Sequence, residues 1–304
     1  MMLKKIWRKF INSRETLPVA LTPELETYRL VYSHGGELIN DSVAVIASIE
    51  DDLILTLYFV NYTPVEKKGK VFILDEQGEK RGTLYIQQQD TFLIGDKQVY
   101  FYKITGARSR LPYLYAILMN HLVYAAKRKL NYHLKEGKRL HDLFVYYIKP
   151  RPVFLLSVQD ADRFDIFPVD LTGRIFNNYY TLAIKSTNQA ITLIKKAGRF
   201  CLSAVPLNKV DVIYKHHEQR KKGKITLDNL AFPVANSKVL NIPVPDFAIT
   251  VREFQVENSI EKGGYTLFVM KCINEYPMAN NIPLAHAPWY TIAKDQKLSF
   301  TLKH

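Results

Sequence analysis

The chain has 304 residues, is 47% hydrophobic and 12% aromatic, and carries a net charge of +13. That apolar content supplies a sizeable core and excludes wholesale disorder, and the length is enough for two domains. No window approaches the ~20 apolar residues needed to span a bilayer. A field this positive attracts anions: nucleic acid, acidic lipid or a phosphorylated small molecule.

Met1 to Phe10 is basic and slightly amphipathic, with no apolar core of the ~7–15 residues that a signal peptide requires after its charges. A packed terminal helix is the plainer reading, and a membrane is not expected as a partner. From Glu26 to Thr105 the pattern is almost all β. Candidate strands are Thr27–Ser33, Ser42–Ile49, Leu53–Val60, Lys70–Leu74, Thr83–Gln87, Thr91–Ile94 and Gln98–Ile104. Turn residues at Gly35-Gly36, Asp51-Asp52, Asp75–Gly78 and Gly95-Asp96 separate them. This spacing predicts a small antiparallel β domain over 1–110, with no chemical motif in it.

Between Leu111 and Ile148 the period becomes helical: Leu114, Leu118, Leu122 and Val123 form one stripe, and Leu134, Leu140, Leu143 and Tyr147 another. Residues 111–148 are therefore expected as a helical connector, ended by Pro150 and Pro152. The rest, 149–304, reads as a second β domain.

Its organising stretch is Lys149–Pro206. An apolar run, Val153–Val158, meets a polar turn at Asp160–Arg163, and an apolar piece runs on to Val169. A Gly-containing loop, Asp170–Asn178, leads to a strand at Tyr179–Ile184. Next comes a helix on which Ala190, Leu193, Ile194 and Ala197 make one apolar stripe. Ser186 or Thr187 is expected to cap it, Lys195 and Lys196 suit its last turn, and Gly198 suits its left-handed exit. The strand Phe200–Val205 follows. These strands are too apolar for a surface sheet and are expected to be buried on both faces, as in a small barrel.

Beyond Pro206, a polar stretch holds Tyr214-Lys215-His216-His217-Glu218, and the basic run Arg220-Lys221-Lys222-Gly223-Lys224 reads as a solvated loop. Nucleic-acid binding wants aromatics interleaved with the basic residues in a recognisable module. Neither is present, so nucleic acid is not expected. Two adjacent histidines with no third ligand at short spacing do not make a metal site. A phase slip near Arg252–Glu253 predicts a bulge, and Gly263-Gly264 a hairpin into Tyr265–Ile273. The tail from Leu284 to Tyr290 carries His286, Pro288, Trp289 and Tyr290, which cover either a cofactor or the barrel end. The two cysteines, Cys201 and Cys272, read as buried small hydrophobes in a reducing cytoplasm.

Taken together, Arg151-Pro152-Val153, the loop Phe167-Pro168-Val169-Asp170-Leu171-Thr172-Gly173, the helix start Lys185-Ser186-Thr187-Asn188, Gly198 before Phe200–Pro206, and Gly263–Phe268 carry a resemblance. From about 150 to 290 the chain resembles the flavin reductase-like family, whose fold is an FMN-binding split β-barrel. That resemblance implies a mainly β fold with helices, non-covalently bound FMN, NAD(P)H as co-substrate, and a homodimer. A flavin's phosphate wants hydroxyl donors, free backbone N–H groups and a cation. Lys185, Ser186 and Thr187 supply these; their other reading is an ordinary cap. Phe167, Pro168, Val169, Asp170, Leu171 and Thr172 are then expected along the ring edge, or as a plain turn. Ser157 is expected near the ribityl chain or phosphate, or as a satisfied core hydroxyl. His217 stands near the flavin or nicotinamide, or is a loop residue.

Tyr265 and Met270 occupy places where the family frequently has His and Gly, and Asp160–Arg163 lacks the family's turn glycine. Two functions follow: an NAD(P)H:flavin oxidoreductase, or a non-catalytic protein binding a flavin or another phosphorylated ligand on the same barrel. No dinucleotide or P-loop glycine motif occurs, and no catalytic triad can be argued from spacing.

Overall fold

The structure is a computed structural model that describes residues 16–21, 28–39, 42–48, 53–60, 62–64, 66–109, 145, 148–161, 163–223, 225–262 and 264–288. The expected helical connector, 111–148, lies outside the described residues apart from Val145 and Ile148. No described helix is long and apolar enough to cross a membrane.

A short strand, β1 (Thr16–Ala20), comes first. Seven strands follow: β2 (Arg29–His34), β3 (Glu37–Ile39), β4 (Ser42–Ser48), β5 (Leu53–Phe59), β6 (Lys68–Leu74), β7 (Lys80–Ile94) and β8 (Lys97–Ser109). They form one antiparallel sheet in the order β3-β2-β6-β7-β8-β5-β4. The pieces expected at Thr83–Gln87 and Thr91–Ile94 are a single strand, because a bulge at Gln88/Asp90 absorbs the polar interruption without breaking the ladder.

The second half opens with β9 (Arg151–Pro152), β10 (Phe154–Asp160), β11 (Arg163–Val169), β12 (Thr172–Phe176) and β13 (Tyr179–Lys185). Helix α1 (Ala190–Ala197) and β14 (Arg199–Ala204) follow, then helix α2 (Val210–Lys222), the small pair β15 (Val234–Asn236) and β16 (Pro243–Pro245), β17 (Thr250–Lys262), β18 (Tyr265–Pro277) and β19 (Leu284–Pro288). Seven of these strands make a second sheet, in the order β11-β10-β14-β17-β18-β13-β12. β1, β19 and β9 form a separate three-stranded ribbon.

The outer strands of the second sheet, β11 and β12, are consecutive in the chain and joined by Asp170-Leu171 alone. Laid flat, seven strands at ~4.8 Å spacing would put the edges about 29 Å apart, whereas three peptide units reach at most about 11 Å. The sheet must therefore roll until its edges meet at this corner. Those edges do not pair with each other, so the barrel is split. This is the fold that the family resemblance implies. Its interior holds Leu156, Val158, Leu182, Phe200, Leu202, Phe254, Phe268 and Met270, plugged by Ala190, Ile191, Leu193 and Ile194 of α1. A second apolar layer, including Leu155, Ile166, Ile213 and Phe232, lies outside, under the segment after β14. Burial on both faces explains the apolar strands.

Two readings change. The loop expected at Asp170–Asn178 contains β12, whose Gly173 and Arg174 hide it. The polar stretch around His216 and the first residues of the expected basic loop, Arg220 to Lys222, are the helix α2.

Candidate functional site

β13 carries both halves of the expected site. At its centre, the Ala183 N–H donates to the Leu171 carbonyl (2.9 Å), and the Thr172 hydroxyl donates to the Thr181 carbonyl (2.8 Å). These bonds sew the 170–172 corner to the strand. Two residues further along, about 7 Å by strand rise, β13 ends at Lys185 and the chain turns through Ser186 and Thr187. The structure thus places Leu171 and Thr172 against the middle of β13 and Lys185, Ser186 and Thr187 at and just beyond its end.

The turn is braced but does not cap the helix. The Ser186 N–H donates to the Gly264 carbonyl (2.8 Å), and Ser186 Oγ lies 3.3 Å from Thr266 Oγ1. The first N–H of α1, on Ala190, donates instead to Asn188 Oδ1 (3.0 Å). The expected cap by Ser186 or Thr187 is therefore replaced by Asn188, leaving Lys185, Ser186 and Thr187 exposed beside the corner. The other end is as expected: Gly198 adopts φ 64° and donates to the Ile194 carbonyl.

Asn188 Oδ1 also accepts from Arg220 (2.8 Å), whose guanidinium forks onto Asp165 at 2.8 and 2.6 Å and lies 4.4 Å from the Phe167 ring centroid. Arg220 of α2 thus ties β11 to the start of α1, as its planar fork favours. His216 is fully buried and donates from Nε2 to the Ile166 carbonyl (2.9 Å), an outer-edge group of β11. Burial pushes its pKa down, and with it the charged form is disfavoured. α2 therefore covers the open edge of β11 at Asp165–Ile166 and leaves the stretch from Pro168 onward to the corner.

The Asp170 carboxylate turns toward the ribbon. His286 Nδ1 lies 2.7 Å from it, and His286 Nε2 lies 3.1 Å from the Tyr214 hydroxyl. Burial works against a charged Asp170, but the His286 hydrogen bond and charge, with the buried Arg151 nearby, outweigh it and hold the carboxyl below its ordinary range. Asp170 is thus a brace for the corner, anchored by β19. His217 stands one helical turn from Tyr214, on the same side of α2.

Phe167 and Val169 point into the barrel, and Pro168 is half-buried between them. Ser157 is not brought to the corner. It is fully buried on the outer face of β10, in register with Ile166 and Cys201, beneath the layer after β14. The meeting of Tyr214 with His286, and of Asn188 with Arg220, was not legible, since it arises only through the fold. Among the described residues, no group of three or more His, Cys, Asp or Glu is placed to hold a metal ion.

The corner also faces the first half of the chain. Leu171 packs on a cluster of Ala183, Tyr265 and Leu267 with Ile54 and Phe101, joined by Phe92. Phe92 and Phe101 stack, their centroids 4.7 Å apart at 16°.

No protein-family model matches the chain, and no curated protein does. Among solved structures, it is similar to an FMN-binding protein from Thermus thermophilus with bound 1-cyclohex-2-enone: 19% identity over 44% of this chain and 74% of that one, TM-score 0.39. It is also similar to an NADH:FAD oxidoreductase from Streptomyces globisporus, at 11% identity over 52% and 94%, TM-score 0.45. A third is nitrilotriacetate monooxygenase component B from Bacillus cereus, at 13% identity over 51% and 89%, TM-score 0.43.

Proposed function

We propose that this chain is a flavoprotein that binds FMN without a covalent bond at the split-barrel corner and acts as an NAD(P)H:flavin oxidoreductase of the flavin reductase type. One observation carries the reading. A backbone corner at the meeting of two unladdered strand edges lies on the same strand, about 7 Å by rise, from an exposed turn bearing one cation and two hydroxyls. The residues suit the group. Lys185, Ser186 and Thr187 would hold the phosphate, since none of the three is spent on capping α1. The backbone of Pro168–Thr172 would border the ring, because the outer edges of β11 and β12 keep backbone groups outside any ladder. Asp170 and Thr172 contribute by holding the loop rigid through His286 and Thr181. When bound, the flavin supplies the hydride-accepting ring. The chain's residues bind, orient and shield, so no protein acid or base is needed for that step.

The absorbance spectrum of the purified protein, followed by FMN titration, tests this reading. Flavin bands, or saturable uptake of FMN, are expected; a colourless protein that takes up no FMN overturns it. The second reading, a non-catalytic protein that binds a flavin or another phosphorylated ligand on the same barrel, is favoured by Tyr265. It follows the site's hairpin, pairs with Lys185, and stands where the resembled family frequently has His. NADH or NADPH consumption by the FMN-loaded protein separates the two.

A further inference from the structure

The two seven-stranded sheets have the same wiring. Numbered by chain position within each sheet, both run second-first-fifth-sixth-seventh-fourth-third. The resemblance extends to the links. In each, the first two strands are joined by two residues, 35–36 and 161–162. The two edges are joined by two, 40–41 and 170–171, and the last hairpin turns on two, 95–96 and 263–264. By the covalent reach that rolls the second sheet, the first is rolled as well.

The irregularities also coincide. Gln89 is unpaired five residues before the end of β7, and Glu257 is unpaired five residues before the end of β17. Thr105 and Ile273 are unpaired eight residues beyond the starts of β8 and β18. After each first bulge the next side chain makes the same local bond: Asp90 Oδ1 accepts from the Thr91 N–H (2.9 Å), and Asn258 Oδ1 from the Ser259 N–H (2.7 Å). Shared strand order alone arises by convergence. Shared bulges at shared offsets are features of one ancestral unit.

The copies meet through counterpart strands, β4 and β5 against β12 and β13. This is the self-complementary contact of a twofold pair, made here within one chain. Its core is apolar: Ile54 and Phe101 against Ala183, Tyr265 and Leu267 on one side, and Tyr58 and Val99 against Ile175 and Val269 on the other. The first copy, however, is stripped. The link that carries α1 in the second copy is only 60–67 in the first, and the long segment 205–249 has shrunk to 75–79. Aligned through the ladders to β8 and β18, Lys185-Ser186-Thr187 correspond to Val60-Asn61-Tyr62. The cation and both aliphatic hydroxyls are gone, and Tyr62, which stands in place of Thr187, packs its ring on Tyr32 and Phe59.

We infer that the chain is an internal duplication of one split barrel, in which the first copy has lost its own ligand site and serves as a built-in partner that walls the corner of the second with Ile54, Phe92 and Phe101. In place of the homodimer implied by the resemblance, one chain completes one site. The wall's ligand rests on the FMN reading above; the duplication and the interface do not.

The full-length chain tests each part. Light scattering should give a particle of one 35.2 kDa chain, with or without FMN; a two-chain particle overturns the built-in partner. FMN titration should saturate at one per chain, and two per chain overturns the loss of the first site. Phe101→Ala and Phe92→Ala, on the outer face of their barrel, should each weaken FMN binding about tenfold with unchanged far-UV circular dichroism. Unchanged affinity in both removes the wall. If the wild type takes up no FMN, the flavin reading fails, and the interface is judged by unfolding alone. The wild type should then unfold in one transition, and Ile54→Asp should split it in two. A wild type with two transitions, or an unaltered single transition in Ile54→Asp, overturns the partnership.

Discussion

The two barrels share a wiring diagram and differ in what hangs from it. The first closes its turns as tightly as its strand order allows; the second spends 13 residues on the link from 186 to 198 and 45 on that from 205 to 249. Beyond the strand-to-strand bonds of the frame, the side chains that brace the candidate site come from those additions or from the ribbon: Asn188, Tyr214, His216, Arg220 and His286. The strands provide a rolled frame and an apolar face, while the connections provide chemistry. The plugs differ too. α1 fills the second barrel, whereas Val145 and Ile148 join the core of the first beside Gly82. A Cβ on Gly82 would lie 3.0 Å from Val145 Cγ1 and 3.1 Å from Ile148 Cδ1, so a larger residue there would make both side chains give by a few tenths of an ångström.

The largest expected effects test whether the frames are equally demanding. Phe254 is fully buried against Tyr180 and Phe200, with centroids at 5.2 and 5.6 Å. Its counterpart in the first barrel is the buried Ile86. Phe254→Ala should cost about 3–5 kcal/mol and Ile86→Ala about 2–5 kcal/mol. In urea melts both should shift one shared transition. If Ile86→Ala leaves the second barrel's transition in place, the copies are energetically independent.

Next in size is the site itself. Lys185→Glu with Thr187→Ala removes one cation and one hydroxyl and should weaken FMN binding about 10–100-fold, as lost charge-assisted hydrogen bonds do. The matched change in the first barrel, Val60→Glu, falls on an exposed residue and should leave FMN affinity unaltered. Equal losses from the two variants would falsify the one-sided site.

Asp170→Asn probes the brace rather than the seat. Replacing a half-buried carboxylate held by His286 should cost about 1–3 kcal/mol and loosen the corner. The first barrel has its own acid brace: Asp75 accepts from the Gln77 and Glu79 N–H groups at 3.0 and 2.8 Å and from Arg81. Burial opposes its charge, but these partners prevail and its pKa is lowered too. Both carboxyls are depressed, so their stabilisation is complete above the unfolded value of about 4 and drains away as pH falls below it. His216 adds an earlier loss confined to the second barrel. Its pKa is lowered by burial, so from about pH 6.5 downward the unfolded chain takes up a proton that the folded chain resists. Melting temperatures between pH 7 and 5 should fall for the wild type and flatten in His216→Gln. An unchanged slope means that His216 does not couple to folding.

How much of this was legible follows from locality. The stripe Ala190, Leu193, Ile194, Ala197 and the exit at Gly198 are local, and α1 forms where the periodicity puts it. β12 was hidden because an edge strand at the seam needs few apolar residues; only Ile175 of its five is buried. α2 was hidden because it buries chiefly Ile213 and His216, and its polar faces read as loop. Asp170 and His286 are 116 residues apart. Nothing short-range announces such a pair. The duplication was invisible for a related reason: the repeat lies in ladders and bulges, and these constrain spacing and inward apolarity far more than residue identity.

The smallest expected effect separates turn chemistry from frame. Gly198 and Gly95 both hold left-handed backbone, at φ 64° and 60°, with nothing within 4 Å of an added Cβ. An alanine there meets no clash and pays only for conformation, about 1 kcal/mol. Gly198→Ala strains the exit of α1, which plugs the second barrel and precedes β14. Gly95→Ala strains a hairpin of the first. If the second barrel's additions are anchored mainly by the frame, both variants should lose about the same stability, and FMN affinity should stay within about twofold in each, a difference of under 0.5 kcal/mol. A larger drop in FMN affinity for Gly198→Ala alone would mean that α1 transmits strain to the 185–187 turn. The added connections would then position the site actively instead of merely carrying it.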